Sequence, residues 1–240
     1  MNLSTRRVRA IFHRELREYR RNRSIVVAIA IFPLIFLIQP LFVVFLAHDV
    51  SSASLSQMHL LLYMLAIPVL TPPMLAGYAV AGERQHGTLE PVLTTPIRRE
   101  EFLVGKALAV LVPSAAIAYV VYALFLALVA LFAEPSVASA IIQVPDILAQ
   151  VLFTPLLGAL SVWIGLAFST RASDVRVAQQ LSLLGSLPLV LVTSLIAFNV
   201  IHATLGLAVS LAALLLIADV LGWRAVSPLF DRERLVAGSR

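Results

Sequence analysis

Few side chains in this sequence have the type and spacing that chemistry requires. There is no cysteine, which excludes thiolate catalysis, disulfides and cysteine-ligated metals. His59 and His202 have no second histidine or carboxylate three or four residues away, so we expect hydrated histidines at span ends rather than metal ligands. Asp219 is the only acid within the long apolar stretches, and pairing with Arg224 or contact with water is favoured over a proton-relay role. These residues argue against an enzyme, a metal centre and an ion-driven carrier.

The composition indicates the solvent in which the chain folds. Hydrophobic residues make up 60% of its 240 residues and charged residues only 13%, whereas a soluble domain is about half apolar and about a quarter charged. The mean hydropathy is +0.94. So few charges could not solvate the surface of a soluble domain, which argues against a soluble enzyme, a disordered tail and a nucleic-acid-binding protein. The sequence predicts a polytopic membrane protein.

Stretches without Asp, Glu, Lys or Arg predict the membrane spans, since a spanning helix needs about 20 mostly apolar residues. The stretch 177–218 is long enough for two spans, and Asn199, His202 and Thr204 mark the turn between them. The six predicted spans are 24–47, 59–82, 104–132, 147–169, 178–199 and 203–222. We therefore expect a single all-α membrane domain over 1–240, with the spans at 24–222 and a tail at 223–240.

The basic residues predict the orientation of the spans. All 18 lie before span one, between spans two and three or in the first turn of span three (Lys106), between spans four and five, or after span six. The three remaining connections contain none. Because basic loops stay on the cytoplasmic side, both termini are predicted to be cytoplasmic.

The segment 1–23 combines an apolar stripe with arginines on the other face. Ile11, Phe12, Leu16 and Tyr19 recur at helical spacing. This pattern predicts an amphipathic helix that lies among the lipid headgroups before the first span. The alternative is a solvated basic leader that only sets the topology.

Prolines and small residues mark two further features of the spans. The prolines at 68, 72 and 73 predict a broken or strongly bent second span. Small residues at intervals of four predict close helix packing in spans four and six. They are Ser161, Gly165 and Ser169 in span four, and Gly206 and Ser210 in span six.

The loop between spans two and three contains two short helix starts. Thr88 can cap a turn that begins at Leu89, and Thr95 followed by Pro96 gives a second start that leads into span three. Leu89 and Leu93 would form a small apolar face. From the residues alone, this helix either docks into a groove of another protein or rests on the headgroups.

The order of residues in this loop resembles the signature of type-2 ATP-binding-cassette (ABC-2) permeases. The matching residues are Glu83, Gly87, Thr88, Leu89, Glu90, Val92, Leu93, Thr95, Pro96, Arg98, Glu101, Gly105 and Lys106. Pro91 departs from the pattern. The N-terminal amphipathic helix and the six spans agree with the architecture of the family, and the short outer loops resemble its compact bacterial members.

The resemblance implies a permease subunit of an ATP-driven exporter in the bacterial plasma membrane. It would pair with a second copy or a paralogue and with two separate cytoplasmic ATPases, in a 2:2 complex that moves its substrate by alternating access. This chain contains no phosphate-binding loop, so ATP and Mg would bind to the partner and no cofactor to this chain. The chain itself would not be an enzyme.

The resemblance also assigns roles within the loop at 83–100, which would act as the coupling helix. Glu83 and Glu90 would pair with basic residues of the ATPase or cap the helix, and Leu89 and Leu93 would fill a groove of the ATPase. The arginines at 98 and 99 would take part in this contact or face lipid phosphate.

The sequence indicates only the chemical class of the transported substrate. Nearly uncharged spans favour an amphipathic or hydrophobic substrate, and the sequence assigns no residue to the pathway. Two alternatives stay open: a membrane scaffold or channel subunit without ATP coupling, and an intramembrane lipid-modifying enzyme. The enzyme would need clustered His, Asp or Glu near the bilayer, and the scaffold would leave the loop at 83–106 without a purpose.

Overall fold

The computed structural model describes residues 4–46, 59–87 and 97–231. All regular elements within these residues are helices. In chain order they are α1 (Thr5–Arg21), α2 (Arg23–Phe45), α3 (Leu60–Tyr63), α4 (Ala66–Ala79), α5 (Ala81–Gln85), α6 (Arg99–Phe132), α7 (Pro135–Ile141), α8 (Val144–Arg171), α9 (Val175–Ala197) and α10 (Leu205–Val226). A 3-10 turn at Ser227–Phe230 follows α10.

Six helical segments in the described residues are long and apolar enough to cross a membrane. They are Ile25–Phe45, Leu60–Gln85, Arg99–Phe132, Val144–Arg171, Val175–Ala197 and Leu205–Phe230, which we call spans one to six. Span two consists of α3, α4 and α5. The all-α fold and the number of spans are therefore confirmed, and Asn199 adopts a left-handed conformation (φ 55°) at the predicted turn between spans five and six.

The start of span three and the end of span six differ most from the sequence boundaries, because local contacts extend these two helices. Span three begins at Arg99 rather than 104, since the Glu101 carboxylate accepts the Arg98 N–H at 3.2 Å and so caps the helix. Span six runs past 222 into the 3-10 turn. There Phe230 is buried and packs edge-on against Phe102, with ring centroids 5.9 Å apart.

Span two is the central helix of the bundle. Of its most apolar stretch 83% lies buried, against 6% for span six. Span four packs on it so closely that a Cβ at Gly165 would lie 2.4 Å from the Ala76 Cβ. The predicted close packing along Ser161, Gly165 and Ser169 is thus confirmed.

The small residues of span six do not pack in the same way. A Cβ at Gly206 would meet nothing within 4 Å, and Ser210 is exposed. The prediction of close packing is therefore not met within this chain, because span six lies at the periphery of the bundle.

Span two is interrupted twice, at places that the prolines explain only in part. The first break, at Met64 and Leu65, lies one turn before Pro68. Pro68 has no N–H to donate to the Met64 carbonyl, which instead accepts the Ile67 N–H at 3.0 Å. The second break is at Val80, where no proline lies.

Candidate functional site

The structure describes part of the loop to which the sequence assigns the function. Glu83, Gly87 and Arg98 lie within the described residues. The other predicted site residues lie outside them: Thr88, Leu89, Glu90, Leu93, Thr95 and Pro96. Their roles stay predictions.

Gly87 ends α5 and directs the chain into this loop. Its φ is +66°, which is the left-handed conformation that favours glycine at the end of a helix. The Gly87 N–H bonds the Arg84 carbonyl at 3.1 Å. Gly87 is exposed, as is Arg98 on the opposite side of the loop.

Glu83 faces the interior of the protein. Only 2% of the residue is exposed, and its Oε1 lies 3.2 Å from Arg14 Nη2 and 3.2 Å from Lys106 Nζ. The resemblance implied a pairing with an ATPase or a cap on the coupling helix. In this structure the carboxylate is instead occupied by two cations of the same chain.

Lys106 of span three connects that span to α1 and to span two. Its side chain is fully buried, and Nζ lies 2.9 Å from Glu15 Oε1 of α1. The ammonium also donates to the Ala79 carbonyl of span two. A buried charge is stable only when it is paired and hydrogen-bonded, and Lys106 meets both conditions. We call Arg14, Glu15, Glu83 and Lys106 the base cluster.

The glycine before this lysine allows α1 to approach span three. A Cβ at Gly105 would lie 2.6 Å from Ile11 Cγ2. Ile11 and Tyr19 are buried, and Phe12 and Leu16 pack partly buried against the same core. The apolar stripe of the predicted interfacial helix therefore packs on protein, while its position relative to lipid stays a prediction.

Tyr19 shows how strongly the end of α1 is enclosed. Burial raises the pKa of its hydroxyl well above the ordinary value, and the carboxylates of Glu15, Glu18 and Glu83 raise that pKa further. The phenol is therefore neutral across the physiological range.

A second polar contact fixes the start of α1 to the start of span three. Glu101 is 1% exposed. Its Oε1 accepts the Ser4 N–H at 3.0 Å, and its Oε2 accepts from Arg7 Nη1 at 3.3 Å. Because Glu101 also caps span three, the first turns of the two helices share one carboxylate.

The loop side of span two is tied to the end of span four. Arg84 Nη1 donates to the Ala172 carbonyl at 2.7 Å, and Nη2 donates to the Thr170 carbonyl at 3.0 Å. These carbonyls belong to the last turn of span four, where a cation is favoured. Arg84 thus serves as a cap for a helix that lies far away in the sequence.

The other charged groups singled out in the sequence occupy different surroundings. His59 is paired rather than hydrated, since its Nδ1 lies 3.0 Å from Oδ1 of Asp146, which is 4% exposed. Within the described part of the chain, Asp219 makes no ion pair with Arg224. Arg99 pairs with Asp231 at 2.7 Å.

Sequence reasoning missed the partners of the base cluster, although one signal was present. Glu15 lies four residues after Ile11 and four before Tyr19, so it falls on the apolar stripe of α1. An acid on an apolar face needs a buried cation. Nothing in the sequence indicates that this cation is Lys106.

These features define a multi-pass membrane protein in which the charged loop adjoins the base cluster. The family model described as ABC-2 family transporter protein matches residues 9–223. The chain therefore belongs to the ABC-2 transporter family and is a permease subunit of an ABC transporter. No curated protein matches it.

Proposed function

We propose that this chain is the permease subunit of an ATP-driven exporter and that separate ATPase subunits dock on its loop at 83–100. Two permeases, identical or paralogous, and two ATPases would form the transporter. ATP and Mg would be bound by the ATPases. This chain would supply the pathway and the surface through which the energy enters.

One observation carries the proposal: both ends of the loop meet in the base cluster. Glu83 is the first residue of the loop, Lys106 lies in the helix that follows the loop, and their charged atoms lie 3.2 Å apart in the interior. The cluster also includes α1 through Glu15. Force applied to the loop would therefore act on spans two and three and on α1 together, which suits a rigid-body transition.

The cargo proposed for this exporter follows from the low charge of the spans. The spans present few charged groups, so an amphipathic or hydrophobic substrate would cross them at a lower desolvation cost than a multiply charged one. Such a substrate would enter from the cytoplasm or the inner leaflet. The orientation rests on the one-sided distribution of the 18 basic residues.

The experiment tests the docking surface by changing its apolar residues. We expect replacement of Leu89 and Leu93 by Asp to abolish co-purification of the ATPase, because two carboxylates cannot enter an apolar groove without loss of solvation. Membrane insertion should be unchanged. The measurement is the amount of ATPase recovered with affinity-purified permease, together with the mass of the complex.

A matched control introduces the same two charges at the turn between spans five and six, away from the loop at 83–100. Val200 and Leu205 are exposed apolar residues at the turn between spans five and six, and their replacement by Asp should leave recovery of the ATPase intact. A complex that survives the Leu89 and Leu93 changes would refute the docking assignment. A complex lost equally in both double variants would show that added charge alone disrupts it.

A further inference from the structure

The second break in span two is produced by a side chain from another helix. Val80 has φ −121° and ψ −47°, which separates α4 from α5. Ser169 Oγ of span four accepts the N–H groups of Val80 and Ala81, each at 3.1 Å, and donates to the Gly77 carbonyl at 3.1 Å. A hydroxyl inserted into the hydrogen-bond ladder is one of the few causes of a sharp helix break.

The break lies where water could not satisfy it. Val80, Ala81 and Ser169 are all fully buried. Two buried amides without acceptors would strongly disfavour this backbone conformation. The Ser169 hydroxyl therefore makes the broken conformation stable.

Both sides of the break contact span four, since α4 packs against Gly165 and Arg84 of α5 donates to the carbonyls at the end of that span, but their other polar contacts differ. On the membrane side, span five holds α4, since Gln179 Nε2 donates to the Met74 carbonyl at 2.8 Å. On the loop side, Glu83 holds α5 to Lys106 of span three. Because the helix is interrupted at Val80, this is the point at which span two can bend when α5 moves with Lys106 of span three and the end of span four.

We propose that Val80 is a hinge through which span two responds to movement of the loop, and that Ser169 is the positioning residue of this hinge. The inference rests on the proposed function, because a docked ATPase supplies the movement. The second conformation of the hinge is a continuous helix, in which the Val80 and Ala81 amides bond the Ala76 and Gly77 carbonyls. Nucleotide-driven docking would shift the balance between the two conformations.

The chain offers a matched control for removal of the hydroxyl. Ser161 lies on the same face of span four, two turns before Ser169, and is equally buried. Its hydroxyl has no hydrogen-bond partner. Ser161→Ala therefore removes the same atom from an equally buried position without changing the hinge.

The first test measures hydrogen exchange of the backbone amides at 78–85 in the isolated full-length permease. Ser169→Ala should slow exchange there by about tenfold, because the continuous helix bonds the Val80 and Ala81 amides to backbone carbonyls, which is worth roughly one net hydrogen bond. Ser161→Ala should leave it unchanged. Equal exchange in the two variants would overturn the role of Ser169.

The second test measures the movement itself, in the complex of the permease with its ATPase. Since the chain has no native cysteine, spin labels can be attached at Gln85→Cys and Leu184→Cys, both exposed positions on the two sides of the hinge. Labelled permease is diluted with unlabelled permease so that distances within one chain dominate. The distance is compared without nucleotide and with ATP and orthovanadate.

We expect the distance to change on nucleotide trapping in the Ser161→Ala background and to stay constant in the Ser169→Ala background. A retained change in Ser169→Ala, or no change in an unmodified complex that hydrolyses ATP, would overturn the hinge. Failure of any ATPase to bind would instead refute the proposed function. The exchange experiment needs no ATPase, so it tests the hinge separately.

Discussion

Removal of the buried lysine tests how α1 is held. In the base cluster two carboxylates, Glu15 and Glu83, are matched by two cations, Arg14 and Lys106. Lys106→Met keeps an apolar side chain of similar length but leaves the closed cluster with one excess negative charge. Because Glu15 belongs to α1, detachment of the helix would return this carboxylate to water.

The size of the effect follows from the burial of these groups. Lys106 is fully buried, and Glu15 and Glu83 are each 2% exposed. Removal of one partner from a buried ion pair costs about 3–5 kcal/mol. Arg14 stays beside Glu83, and Ile11 still packs α1, so we expect the lower end. About 3 kcal/mol corresponds to a roughly hundredfold rise in the detached population of α1.

Limited proteolysis with trypsin measures this population. The arginines of α1 are cleavage sites that a packed helix protects, and cleavage of a transiently open segment follows its equilibrium population when reclosing is fast. We expect the purified full-length Lys106→Met variant to be cut within α1 about a hundredfold faster than the unmodified chain. The double variant Lys106→Met with Glu15→Gln should be cut more slowly than Lys106→Met, since the charges are balanced again.

Glu18→Gln is the control, because Glu18 is an exposed acid on the same helix, three residues from Glu15. It should leave the cleavage rate unchanged. Cleavage of Lys106→Met at the unmodified rate would refute the view that the base cluster holds α1. So would an equal acceleration by Glu18→Gln.

Two further changes test other contacts of the bundle. Gly105→Ala should also speed trypsin cleavage in α1, because the added Cβ enters space that α1 fills, whereas Gly206→Ala has open space and should not. His59→Ala should lower the Tm in detergent by several degrees, because it leaves the buried Asp146 carboxylate without its partner. A buried polar group left unpaired costs about 1–3 kcal/mol, and each kcal/mol shifts the Tm by about 2–4 °C. His202 is exposed, so His202→Ala should leave the Tm unchanged, and equal shifts in the two variants would contradict the reasoning.

The coarse architecture could be predicted because it depends on composition along the chain. Charge-free stretches long enough to cross a bilayer determine how many spans exist, whatever their partners are. The amphipathic stripe of α1 and the close packing at Gly165 were likewise visible, since both depend on regular spacing within one helix.

The interruptions of span two show where local patterns fail. The prolines correctly indicated a broken span, and Pro68 accounts for the first break. The break at Val80 could not be predicted, because its cause is the hydroxyl of Ser169, 89 residues away in the sequence. A serine in a membrane helix has the same local signature whether it bonds within its own helix or enters the ladder of another.

The sequence by itself determined the membrane class, the six helical spans and the family, and it predicts the segment that carries the function. Only the tertiary structure decided which of the loop's charges are internal. Glu83 and Lys106 match a family signature, yet in the fold they are buried in a cluster with Arg14 and Glu15. The physical reason is that a charge in an apolar environment must find a partner. Only the packing of α1, span two and span three on one another brings these partners within reach.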